Sequence, residues 1–166
     1  MEERIWKPLG IIDMTFFPEQ RDDMTKRTPA MSWRDPASGK ATNERLYPGP
    51  PPLPPTQALG GGGMWASPAE YLKVLRAILK NDGTLLKKET VDDMFKPHLS
   101  VESQQAMMKV LSVPEVNQML GAMPESTNRD WGLGGMLILN DLEGWRRKGT
   151  MAWGGMPNLT WVCWPP

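Results

Sequence analysis

No helix and no central strand can run through residues 47–63. Tyr47-Pro48-Gly49-Pro50-Pro51-Pro52-Leu53-Pro54-Pro55-Thr56 carries six prolines in ten residues. Each proline fixes φ, removes a main-chain donor and pushes the residue before it out of the helical region. Gly60 to Gly63 follow, and glycine opens backbone conformations closed to other residues. Such a proline run can serve as a ligand for SH3-type domains. Here it lies inside a folded region and reads as a rigid surface loop. The glycines lack the Lys-Ser/Thr of a phosphate-binding loop and the spacing of a dinucleotide fingerprint, so they read as a tight loop.

Regular structure therefore has to be sought on either side. Residues 1–17 open with a short helix end, stopped by Pro8 and released by Gly10. Residues 18–31 are polar and bounded by prolines, which predicts a loop. Asp35-Pro36-Ala37-Ser38-Gly39 between two short runs predicts a hairpin turn. Downstream, Ser67 is an N-cap residue, Pro68 suits the first helical position and Glu70 completes a capping box. Tyr71, Leu72, Val74, Leu75, Ile78 and Leu79 then share one face of a helix that ends at Asn81-Asp82-Gly83. Further helices are expected over 88–96, 107–111 and 114–120.

The last segment has a different period. Trp131 to Leu139, Lys148 to Trp153 and Asn158 to Trp164 read as strands, with a turn at Asn140-Asp141-Leu142-Glu143-Gly144. Helices followed by an antiparallel meander give an α+β fold. The 166 residues suit one domain, with a loop-rich segment 1–66, a helical segment 67–121 and strands over 131–164.

Several function classes are disfavoured. Nineteen Lys plus Arg balance nineteen Asp plus Glu, so no electrostatic footprint for nucleic acid or an anionic membrane exists. Arg146-Arg147-Lys148 is a run of only three and reads as a solvated strand end. One cysteine, Cys163, excludes an internal disulfide, and with the single His98 it cannot build a thiolate–imidazole zinc site. No cofactor or metal is expected. No stretch has the length and apolarity of a signal peptide or a membrane span, which favours a cytoplasmic chain.

Nucleophiles are equally sparse. There is no Gly-x-Ser-x-Gly, and none of the serines is followed three residues later by lysine. His98 follows a helix and reads as structural. Cys163 sits in an apolar run and reads as a buried thiol. Asp22-Asp23 and Asp92-Asp93 are adjacent pairs whose side chains point apart, unlike the carboxylates of a glycosidase.

One segment stands out. Gly149-Thr150-Met151-Ala152-Trp153-Gly154-Gly155-Met156-Pro157-Asn158-Leu159-Thr160-Trp161 places two glycines after an aromatic residue in the middle of a strand pattern. Glycine weakens a strand, and there it marks a bulge, a bend or a close approach by another backbone or a ligand. An N–H beside such glycines can donate to an oxyanion.

This segment resembles the third-strand motif of the serine β-lactamase and penicillin-binding-protein superfamily. More narrowly, it is similar to the branch of lovastatin-type transesterases and esterases, where Trp-Gly-Gly stands in place of Lys-Thr-Gly. Ile5-Trp6-Lys7-Pro8-Leu9-Gly10-Ile11 with Met14-Thr15-Phe16, the Gly60–Tyr71 stretch, and Trp131-Gly132-Leu133-Gly134 agree with the family in order. The Ser-x-x-Lys and Tyr motifs that the family carries upstream of the Pro-Leu-Gly segment have no counterpart here.

The resemblance implies the C-terminal half of the family's fold, clipped at both ends, with helices and an incomplete antiparallel sheet. It implies acyl transfer from an ester or thioester through an acyl-serine, in a secondary-metabolite (polyketide) pathway, with the nucleophile missing from this chain. By motif, Gly155 or Met156 would donate to the oxyanion and Trp153 would line the acyl pocket, with Gly154 between them. The expectation is a truncated acyltransferase or esterase homologue that is inactive alone. A non-catalytic pseudoenzyme, an accessory binding protein and a gene remnant are the alternatives.

Overall fold

The computed structural model describes residues 1–30, 32–43, 56–61, 63–120, 122–155 and 159–164. The expected extended run over 47–56 lies outside them, except for its last residue. In chain order the elements are a wide helical turn over Glu2–Trp6 continuing into α1 (Lys7–Leu9), β1 (Met14–Thr15), α2 (Asp22–Thr25), β2 (Trp33–Arg34), β3 (Ala41–Thr42), β4 (Trp65–Ala66), α3 (Pro68–Lys80), α4 (Lys88–Met94), α5 (Val101–Leu111), α6 (Pro114–Met119), β5 (Arg129–Trp131), β6 (Met136–Ile138), β7 (Met151–Gly155) and β8 (Leu159–Cys163). Two compact units result: residues 10–72, and residues 1–9 with 73–166.

In the 10–72 unit, β1 pairs antiparallel with β4, and β2 with β3 across the expected Asp35–Gly39 turn. The polar segment 18–31 is not all loop. Met24 is buried beneath the one-turn helix α2, and Arg21 and Arg27 hold that turn against Asp13 and Asp23. Arg27 forms two hydrogen bonds with Asp13, at 2.9 and 3.0 Å, and Arg21 two with Asp23, both at 2.8 Å. The Arg27 guanidinium holds the Asp13 carboxyl below the usual carboxylate range. Ser67 caps α3 by accepting from the Glu70 N–H at 3.3 Å. Tertiary partners also hold this cap: Glu70 accepts from the Ile12 N–H at 2.9 Å, and the Ser67 N–H donates to the Asp13 carbonyl at 3.1 Å.

The second unit is built on a four-stranded antiparallel sheet in the order β5-β6-β7-β8. Alternation along the strands sends residues to two different cores. Leu137, Met151 and Cys163 face Leu79 of α3, Met94 of α4 and Phe95. Met136 and Ile138 face Leu111 of α5, Val116 of α6, Met123 and Leu142. Helices thus cover both faces, and the expected mixture of helices with a small antiparallel sheet is what the chain forms.

Several boundaries differ from the sequence pattern: the first helix runs through Pro8 to Leu9 instead of stopping at the proline, and the helix expected over 88–96 ends at Met94. Helix α5 starts at Val101, six residues before the expected helix, because Ser100 accepts from the Ser103 N–H and caps it. The expected strand over 131–139 is two strands, β5 and β6, joined by the turn Gly132–Gly135, where Gly134 takes φ +121°. The expected strand from Lys148 starts only at Met151, since Gly149 lies at φ +84°.

Asp130 fixes the helical layer to the sheet. It is buried, and its Oδ1 accepts from the main-chain N–H groups of His98, Leu99 and Trp131 at 3.0, 3.1 and 2.7 Å. His98 sits at the end of α4 with Nε2 2.9 Å from the Asp93 carbonyl, in keeping with a structural role.

Candidate functional site

Trp153, Gly154 and Gly155 lie in β7, each matched to one residue of β8: Trp161, Thr160 and Leu159. The register is continuous, so the two glycines do not mark a bulge. On the other side, the ladder between β6 and β7 stops at Met136↔Ala152. Continued by two positions, the ladder would oppose Gly154 to Gly134, but the Gly132–Gly135 turn has ended the pairing before that point.

That turn is shaped by close approach. A Cβ on Gly132 would lie 2.2 Å from the Met94 carbonyl oxygen, which accepts from the Leu133 N–H at 3.1 Å. A Cβ on Gly135 would lie 2.8 Å from Met151 Cγ and 2.9 Å from Trp161 Cη2. Only glycine lets the end of α4 and the Trp161 ring come so near.

The direction of the β7 main chain follows from one hydrogen bond. The Ile138 N–H donates to the Thr150 carbonyl at 2.9 Å, so that carbonyl faces β6, while the Thr150 N–H turns to the Arg147 carbonyl at 3.2 Å. Alternation along an antiparallel ladder then turns Ala152 and Gly154 toward β6 and Trp153 and Gly155 toward β8. Beyond the end of the β6 ladder, the Gly154 N–H is aimed away from β8. The Gly155 N–H is aimed into the β8 pairing. Met156 lies outside the described residues.

Trp153 is 40% exposed. Trp131 stands against it, ring centroids 5.0 Å apart and planes at 75°, an edge-to-face arrangement. Trp131 and Trp161 were not picked out by the sequence as neighbours of the glycines. The signal available was the period of two, but the partner strand and register that convert it into contacts are tertiary.

The other candidate, Cys163, lies in β8 opposite Met151, at the far end of β7 from the two glycines. Cys163 is buried, and burial pushes its thiol up to about 11. It lines a cavity of about 750 Å³ with Leu79, Arg76, Lys80, Val162 and Trp164 among others, and Trp153 and the two glycines are not in that lining. Among the described residues no group of His, Cys, Asp and Glu is placed to hold a metal ion, and no helix is long and apolar enough to cross a membrane.

No family model matches the chain. It is similar to the monacolin J acid methylbutanoyltransferase of Aspergillus terreus, 39% identical over 97% of this chain and 39% of that protein. It is similar also to the lovastatin esterase of Penicillium rubens, 39% identical over 97% of this chain and 40% of that one. Among solved structures, simvastatin synthase from Aspergillus terreus superposes with a TM-score of 0.85 at 39% identity, covering 99% of this chain and 40% of the enzyme. The hydrolase EstCE1, at 17% identity and a TM-score of 0.59, shares the fold. This chain spans about two fifths of the length of the relatives it matches. With that extent, the chain is a homologue of the lovastatin-type acyltransferases.

Proposed function

We propose that this chain carries the oxyanion-binding strand and one wall of the acyl pocket of a lovastatin-type acyltransferase or esterase. The observation that supports the reading is the end of the β6–β7 ladder at Met136↔Ala152, which leaves the Gly154 N–H directed away from β8 in a strand the family uses for this purpose. Gly154, rather than Gly155, is the donor that strand alternation favours. Trp153 supplies the apolar wall.

In the reaction, a serine oxygen attacks the carbonyl of an ester or thioester and its proton passes to a neighbouring lysine. The carbonyl electrons move onto oxygen, where the Gly154 N–H holds them. The C–O or C–S bond then breaks with release of alcohol or thiol. The acyl group leaves the serine for a second alcohol or for water. No Ser-x-x-Lys occurs in these 166 residues, so this step requires a serine and a lysine that they do not supply. The relatives named for methylbutanoyl transfer and lovastatin hydrolysis suggest a short branched acyl group and a polyketide acceptor or ester.

Two measurements test this. Titration of the 15N-labelled chain with S-ethyl 2-methylbutanethioate should move the Gly154 amide and the Trp153 indole, and leave Gly155 nearly in place. A response at Gly155 without one at Gly154, or none at all, refutes the assignment. Hydrolysis of p-nitrophenyl butanoate should stay at buffer background. Turnover that scales with protein and is abolished by a fluorophosphonate would show that the chain has its own nucleophile. Binding without turnover also fits a second reading, a non-catalytic binding protein that keeps the pocket wall; the missing Ser-x-x-Lys is what favours it.

A further inference from the structure

We infer that Trp131 is a specificity-determining residue: with Trp153 it forms a two-plane corner that selects an acyl group branched next to its carbonyl over a straight one. The inference rests on the acyl-site reading above and adds to it a residue and a selectivity.

The two indoles differ in how they are held. Trp131 is half-buried, and its ring packs on the core that contains Leu111, Met136 and Ile138. Its main chain is pinned at both ends, the N–H by Asp130 at 2.7 Å and the carbonyl by the His98 N–H at 3.0 Å. Its position is therefore set by the sheet and the α4–α5 junction. Trp153 is exposed, and the residue after it, Gly154, offers no side chain to brace it. An exposed side chain changes rotamer freely unless a neighbour favours one. The edge-to-face contact with Trp131 at 5.0 Å is such a neighbour, and biases the ring by roughly twofold to tenfold.

The result is two aromatic planes at 75°. A straight acyl chain can lie along only one of them. A carbon bearing two alkyl arms can rest one arm on each, which gains contact area without a larger pocket. Removal of Trp131 would take away one plane and let the other turn.

The test compares two isomers of equal carbon count, S-ethyl 2-methylbutanethioate and S-ethyl pentanethioate. Binding to the full 166-residue chain is followed by 19F NMR after 5-fluorotryptophan labelling, with the Trp153 resonance assigned through Trp153→Phe. The unsubstituted chain should favour the branched isomer about threefold to tenfold, the range of one aromatic contact. Trp131→Leu should abolish the preference and shift the Trp153 resonance even without ester, while binding of the straight isomer changes less than twofold. Trp131→Phe retains an aromatic edge and should retain the preference. If Trp131→Leu unfolds the chain, Trp131→Phe and Trp153→Leu decide: the first must keep the preference and the second must lose it. Equal binding of the two isomers, or an unaltered preference in Trp131→Leu, overturns this inference and leaves the acyl site standing. Failure of either ester to bind the unsubstituted chain overturns both.

Discussion

Replacing Gly132 with alanine should destabilise the chain by about 2–3 kcal/mol, far more than the same change at Gly155. The added methyl carbon would start 2.2 Å from the Met94 carbonyl oxygen and 3.1 Å from both Leu137 Cδ1 and Met151 Cε. The last two are ends of flexible side chains and can give. The carbonyl is main chain at the end of α4 and cannot, so the helix end has to move off the Gly132–Gly135 turn by about 1 Å, to an ordinary contact distance. That motion gives up the hydrogen bond from the Leu133 N–H to the Met94 carbonyl, about 1 kcal/mol. It also loosens the packing of Met94 on Leu137 and Met151, at the about 1–3 kcal/mol typical of overpacking. Restriction of the unfolded chain by alanine returns about 0.4–1 kcal/mol. Gly155 is the control, because nothing lies within 4 Å of a Cβ placed there; its alanine variant should stay within about 0.5 kcal/mol of the parent. Urea unfolding followed by far-UV dichroism measures both. Equal midpoints for Gly132→Ala and the parent chain, or an equal loss in the two variants, would refute the close-approach argument.

Asp130→Ala removes the acceptor of three main-chain donors and should cost about 2–4 kcal/mol by the same assay, with Asp130→Asn recovering much of it through the retained oxygen. With its thiol pushed up to about 11, Cys163 is ionised at pH 8 to roughly one part in a thousand, so a disulfide reagent should modify it slowly in the native chain and quickly in urea. The Asp13 carboxyl should titrate below its ordinary 3.8, because the charged form is favoured by Arg27 and Arg21. Its contribution to stability is then fully present above that pH and is lost as pH falls through the lower folded value. A 13C-detected titration reads the midpoint, and Arg27→Ala should move it back up.

Much of this architecture is legible in the chain's pattern. The Ser67 cap, the face of α3 apart from Leu72, which is 53% exposed, the Asp35–Gly39 hairpin and a terminal antiparallel meander all rest on local chemistry, and local chemistry is what a sequence displays. The break between β5 and β6 was marked only by Gly132, Gly134 and Gly135 in an otherwise apolar run, and the contact that shapes the turn comes from Met94 at the end of α4, far away in the chain. The opposite directions of the Gly154 and Gly155 N–H groups had no sequence signal, since both are glycines and only strand register tells them apart. The Glu70 carboxylate likewise reaches the Ile12 N–H, a contact visible only once β1 and β4 have paired.

The short strand β6 has a consequence for motion. Its three residues are almost wholly inaccessible, and they alternate between the two cores: Met136 and Ile138 belong to one, Leu137 to the other. Neither pair of helices can lift off without wetting this strand, so the two cores share a single opening event. Amide protons of β6 should therefore be the last to exchange with deuterated water, at the rate of global unfolding, while α2 and the Asp141–Lys148 hairpin exchange by local fluctuation. The strand that stops short of Gly154 is thus the stiffest part of the lobe, and the gap at its end has one immobile rim.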